Sequence, residues 1–246
     1  MRRLFLHRSS AATVISLIAL FFAVGGTTVA ATGASAAVAA ASGWSIQTTP
    51  NPAGGSDVVL NGVSCASASA CTAVGGPAQP ATTGVTLAEG WNGTTWSIQH
   101  TPNPTGGSLI ILNGVSCTLA SACTAVGSTS TGTTTVTLAE RWNGTKWSIQ
   151  TTPNPAGGSE IHLIRVSCTS ATACTAAGFY SNATTTVTLA ERWNGSRWSI
   201  QHTPNPAGGS NSTLNGVSCA SATACTAVGG SFNGTTGVTL AERWNG

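Results

Sequence analysis

The chain has 246 residues, of which only 6% are charged and 6% aromatic, with 30 glycines and a formal charge of +3. Arg2, Arg3 and Arg8 carry that excess at the N-terminus, and beyond them five arginines and Lys146 balance Asp57 and five glutamates. A near-neutral body lacks the basic footprint of a nucleic-acid partner, which excludes that class.

Residues 1–36 read as an export signal peptide, with a positive start, an apolar run over 11–24 and a small-residue cleavage site at Ala34-Ser35-Ala36. That run is shorter than the roughly 20 residues needed to span a bilayer. Membrane association is therefore expected only if the leader is retained as an anchor. Arg2-Arg3-Leu4-Phe5-Leu6 resembles the twin-arginine export motif, with an ordinary Sec leader as the alternative. Either route delivers the body outside the cytoplasm, secreted or held at the cell envelope. Residues 37–43 form an Ala/Ser-rich linker.

Residues 44–246 are repetitive. Trp44, Trp96, Trp147 and Trp198 each open a Trp-Ser-Ile-Gln segment, at spacings of 52, 51 and 51 residues. A period of this size predicts a repeat architecture. The cysteines keep the same rhythm, one C-x5-C pair per copy. Eight cysteines allow 105 pairings, but identical local spacing singles out Cys65–Cys71, Cys117–Cys123, Cys168–Cys174 and Cys219–Cys225. An oxidising compartment makes these structural disulfides. The metal-binding alternative finds no clustered ligands beside them.

The second copy shows the elements of one repeat. Leu112-Asn113-Gly114-Val115-Ser116 predicts a first strand, followed by a small-residue loop over 118–122. Residues 123–127 predict a second strand ended by glycine. Residues 136–142 alternate with period two as a third strand, and Asn143-Gly144 begins a tight turn into Trp147-Ser148-Ile149-Gln150. Thr152-Pro153-Asn154-Pro155 then blocks further pairing, as suits an outer edge. No stretch of the body carries helical periodicity. Four short antiparallel strands per repeat predict an all-β fold, a β-propeller of four-stranded blades with four repeats visible.

Gly75-Gly76 or Gly229-Gly230, then Glu-Arg-Trp-Asn-Gly-x-x-Trp, then a Pro-rich connection, resembles a kelch-type blade. Trp142 and its equivalents stand where kelch repeats usually have tyrosine, and copies two and three lack the glycine doublet. The Val-Ser-Cys…Cys-Thr-Ala-Val-Gly phrase is similar to repeats of secreted actinobacterial proteins of unknown function. The resemblance implies blade architecture and says little of activity. The chain enters on a fourth strand at Trp44 and stops after a third strand at Trp244, so the N-terminal strand is available to close a four-blade ring. A fragment of a longer array is the alternative, and an incomplete ring would be free to self-associate.

Glu89, Glu140, Glu191 and Glu242 are the obvious carboxylates, and paired carboxylates can hydrolyse glycosides. Each stands at one point of one strand in every copy, on the face of Val, Leu and Trp. That assigns a structural role, bonding a neighbouring backbone or arginine. His100 and His202 sit at equivalent outer positions and cannot share a metal. No catalytic triad, phosphate loop, calcium loop or cofactor motif occurs, so no cofactor is expected. Copy three diverges: Leu163-Ile164-Arg165-Val166 replaces Leu-Asn-Gly-Val, with Glu160 and His162 upstream and Phe179-Tyr180 after the second strand. Glu160, His162, Arg165 and Tyr180 are the candidate ligand contacts, against a structural alternative pairing Arg165 with Glu160. Asn113 and Ser128 are their matched positions in the second copy. The expected role is a non-catalytic extracellular scaffold for a glycan or protein ligand, with a carbohydrate-active enzyme or a surface spacer as alternatives.

Overall fold

A computed structural model describes residues 43–52, 57–78, 84–182 and 184–246. The leader and residues 37–42 of the linker lie outside the described residues. The compact unit Ile46–Gly246 is all-β, with fifteen strands among its described residues. The first blade comprises β1 (Val58–Ser67), β2 (Ala70–Pro77), β3 (Leu87–Trp91) and β4 (Trp96–Gln99). The second comprises β5 (Ile110–Leu119), β6 (Ala122–Ser130), β7 (Thr135–Trp142) and β8 (Trp147–Gln150). The third comprises β9 (Glu160–Ser170), β10 (Ala173–Ser181), β11 (Thr186–Trp193) and β12 (Trp198–Gln201). The fourth repeat contributes, among the described residues, β13 (Asn211–Ser221), β14 (Ala224–Phe232) and β15 (Gly237–Trp244). Each blade is an antiparallel meander in chain order, the blade of a β-propeller.

Strands run longer than the apolar runs suggest. The expected loop over 118–122 shrinks to a two-residue turn, because β5 and β6 stay paired past the disulfide to Leu119 opposite Ala122. All four intra-repeat disulfides are present, each joining directly opposed cysteines of a blade's first two strands. The Asn-Gly turn is a four-residue loop: Asn143 N donates to Lys146 O at 3.2 Å, and Asn143 Oδ1 accepts from Thr145 N and Lys146 N.

Two sequence signals acquire a physical cause. The Asn-Gly of the first strand is a bulge, with Asn113 left out of register between Leu112 and Gly114. Opposite it stands a glycine with no room for a side chain. A Cβ on Gly75, Gly127, Gly178 or Gly229 would lie 1.8–1.9 Å from a carbonyl oxygen of its own blade. The first glycine of the doublet is therefore kept in every copy, while the second becomes Ser128 and Phe179 in the middle copies.

Blades stack through their faces. Val74 and Ala88 of the first blade pack against Leu112, Val115, Ala125 and Trp147 of the second, and Val126 and Ala139 pack likewise against the third. Small residues on one face admit large ones from the next blade, which buries apolar area that a lone blade would expose. The Pro-rich connection docks on the third strand, where Asn154 Oδ1 accepts from Thr137 N and Oγ1. Closure by the N-terminal strand is not found. Residues 44–47 form no strand, and the outer edge of β15 has no pairing partner among the described residues. Trp44 and Ile46 are fully exposed.

Candidate functional site

The third blade departs from its neighbours at the bulge. Asn61 Nδ2 donates to Leu112 O at 3.1 Å and Asn113 Nδ2 to Leu163 O at 2.9 Å, tying each first strand to the next. Ile164 takes the bulge position in β9 and has no amide to continue the series. Arg165 reaches back instead. Its Nη1 donates to Asn113 O at 2.8 Å and to Ile164 O at 2.9 Å. The expected Arg165–Glu160 pairing does not form, because these backbone carbonyls hold the guanidinium near the bulge. Nε and Nη2 find no protein partner among the described residues. The side chain is exposed and borders an open groove lined by Leu60, Asn61, Val63, Gly114 and Val115.

Glu160 and His162 form a separate cluster. His162 Nδ1 lies 3.0 Å from Ser128 Oγ of the second blade, and Nε2 lies 3.3 Å from Glu160 Oε2. Burial lowers the imidazole pKa, while the hydrogen bond to Glu160 and its charge pull it back. The neutral tautomer that fits donates from Nε2 to Glu160 and accepts at Nδ1 from Ser128. The Phe179 ring packs against the imidazole with centroids 5.0 Å apart. Tyr180 is not part of this group. In the β9–β10 ladder Phe179 opposes His162 and Tyr180 opposes Ile161, so the two rings face opposite ways. Tyr180 packs partly buried against the core shared by the second and third blades.

The structure thus joins Glu160 with His162 and sets Arg165 and Tyr180 apart from them and from each other. It also draws in two residues that sequence comparison treats as inert counterparts. Ser128 caps His162, and Asn113 is bonded to both Leu163 and Arg165. Their involvement crosses a blade junction, and no local spacing signals it.

The repeated glutamates lie inside the junctions. Glu140 and Glu191 are fully buried, and neither carboxylate oxygen of either one has a hydrogen-bond partner. The expected bond to backbone or arginine is absent. Burial pushes both carboxyls up to about 8. Glu89 and Glu242 are raised by the same cause. The arginine after the glutamate turns the other way: Arg192 lies 4.7 Å from the Trp244 ring and donates to Ala222 O of the next blade. His100 and His202 are exposed, and no cluster of three or more metal-ligating side chains occurs among the described residues.

No protein-family model matches the chain, and no curated protein does. Among solved structures it is similar to the GH74 xyloglucanase from Xanthomonas campestris, at 13% identity and a TM-score of 0.38. The match covers 76% of this chain and 37% of the xyloglucanase, so the chain spans little more than a third of that protein.

Proposed function

We propose that the chain is a secreted, kelch-like propeller scaffold that binds a carboxylate-bearing glycan at the cell envelope without transforming it. The observation that carries this reading is Arg165. It is a fixed, exposed guanidinium at the rim of a groove, held by one nitrogen with the other two open to a ligand. That geometry suits bidentate capture of a carboxylate, and Leu60 and Val63 offer apolar surface to a sugar ring. Four disulfides and the export-like leader fit an extracellular setting. Burial of Glu140 and Glu191 leaves no substrate access to them, which favours binding over glycoside hydrolysis.

Calorimetric titration with uronic-acid oligosaccharides and their neutral counterparts tests the reading. Binding is expected for the acidic series, weakened about tenfold or more by Arg165→Ala, in line with a lost charge-assisted bond. Hydrolysis of any glycan that Glu191→Gln abolishes would overturn it in favour of an enzyme. Absence of binding to every glycan would favour a surface spacer.

A further inference from the structure

The charges of the body cancel in number but not in place. Glu89, Glu140 and Glu191 are buried inside junctions and Glu242 is half-buried, so the exposed carboxylates among the described residues are Asp57 and Glu160. Among the cations, Arg141, Lys146, Arg192, Arg197 and Arg243 each lie in the last two residues of a third strand or in the turn that follows it. An antiparallel meander puts its first and third turns on one rim, and its second turn and the link to the next blade on the other. The cations therefore gather on the first rim, whose turns contain no aspartate or glutamate. Asp57 precedes β1 and Glu160 opens β9, which places both on the opposite rim.

Neighbouring blades keep this rim aligned. Ser64 Oγ accepts from Cys117 N, Ser116 Oγ from Cys168 N and Ser167 Oγ from Cys219 N, so each blade meets the next in the same pose. Arg192 Nη2, near the end of β11, donates to Ala222 O in the turn between β13 and β14. Arg141 and Arg192 are held over the Trp193 and Trp244 rings of the next blade, 6.0 and 4.7 Å away. Lys146 and Arg197 differ from them. Each is the last residue before an outer strand, in successive blades, and each is exposed with a side chain that bonds nothing among the described residues. Beside each cation is a fixed amide. Asn143 Oδ1 accepts from Thr145 N, Thr145 Oγ1 and Lys146 N. Asn194 Oδ1 accepts from Ser196 N, Ser196 Oγ and Arg197 N. Both Nδ2 groups are left without a protein partner among the described residues. The first blade builds the same loop around Asn92 but has Thr95 in place of the cation.

We propose that this rim is a second binding surface, for a linear acidic polysaccharide whose carboxylates meet Lys146 and Arg197. One exposed cation gives only a weak contact. A polymer that engages both along one chain gains through effective concentration. The Nδ2 group beside each cation is a donor for a sugar hydroxyl, so each loop offers the two contacts that an acidic sugar needs. A nucleic acid is the poorer fit, because none of the turns on this rim carries an aromatic ring to stack on a base. The surface is separate from the groove beside Arg165, which lies within β9 and is held at the bulge, and it stands whether or not that groove takes a ligand.

Calorimetric titration with polygalacturonate across a salt series, in the Arg165→Ala background so that the groove is not counted, tests this. Adding Lys146→Ala and Arg197→Ala should weaken binding at least about tenfold and lower the slope of log affinity against log salt by about two, one for each cation lost. Adding Thr95→Lys instead should tighten binding and steepen the slope, because it supplies the first blade with the missing cation. Melting of both variants should match the background; if the double loss melts lower, the Thr95→Lys arm decides. Binding that the double loss leaves intact at unchanged melting, or that Thr95→Lys fails to tighten, would overturn the proposal. So would no binding of polygalacturonate, equal binding of a neutral galactan, or tighter binding of duplex DNA.

Discussion

Glu140 and Glu191 carry carboxyls into the dry space between blades, their oxygens unbonded because the nearby Thr137 hydroxyl is already engaged with Thr152 and Asn154, and burial raises both to about 8. A raised carboxyl favours the folded state in its neutral form. That contribution is fully present below the ordinary value of 4.5 and is lost as pH climbs through about 8. The melting temperature should therefore fall between pH 5 and pH 8. The double variant Glu140→Gln/Glu191→Gln, followed by calorimetry, should flatten that fall and melt higher than the parent at pH 8. Parallel profiles would show that these carboxyls stay charged. Arg165 and Tyr180 separate in a different way. Tyr180 lies against the core, so Tyr180→Ala should cost about 2–4 kcal/mol in denaturant unfolding and leave glycan affinity unchanged. Arg165→Ala should lower affinity with a smaller stability cost. Because Asn113 and Ser128 contact the third blade, a neutral control belongs elsewhere; Asn233, engaged only with its own loop, is one.

At the scale of the element, the first two strands of each blade combine a bulge, an opposing glycine and a disulfide. Gly127→Ala would drive a Cβ to 1.9 Å from Ile111 O, so the strands must part. Equilibrium unfolding should show a loss of at least about 1–3 kcal/mol, the cost of overpacking. Each disulfide closes a loop so short that the chain-entropy model gives only about 2 kcal/mol. Cys117→Ala/Cys123→Ala should thus fold and melt lower by an amount of that order, checked by thermal denaturation. Strand identity was legible because period-two alternation and Asn-Gly turns are local signals, as in residues 136–147. Strand length was not. Residues 118–122 read as loop from their small side chains, yet cross-strand bonds from the partner carry β5 to Leu119.

Among the described residues three junctions are buried, while Leu60, Val63 and Val228 lie exposed on outer faces, so stability should be graded along the array. Hydrogen exchange should run faster in β15 than in the equivalent β7, whose outer edge is paired with β8. Equal protection would mean that blade stacking adds little. The division between sequence and tertiary structure follows the reach of the forces involved. Repeat period, strand type, turn positions and disulfide pairing depend on side chains close together in the chain, and the sequence determined them by itself. Which residues form a site did not follow from it. Arg165 meets Asn113 across 52 positions and His162 meets Ser128 across 34, through contacts that exist only once blades stack. Tyr180 was parted from its sequence neighbours by the pleat, which sends adjacent side chains to opposite faces. Blade count was likewise undecided by phase alone, since a closed ring and a longer array share the same repeat. Only the tertiary structure docks Gln47 on Trp96, across 49 positions.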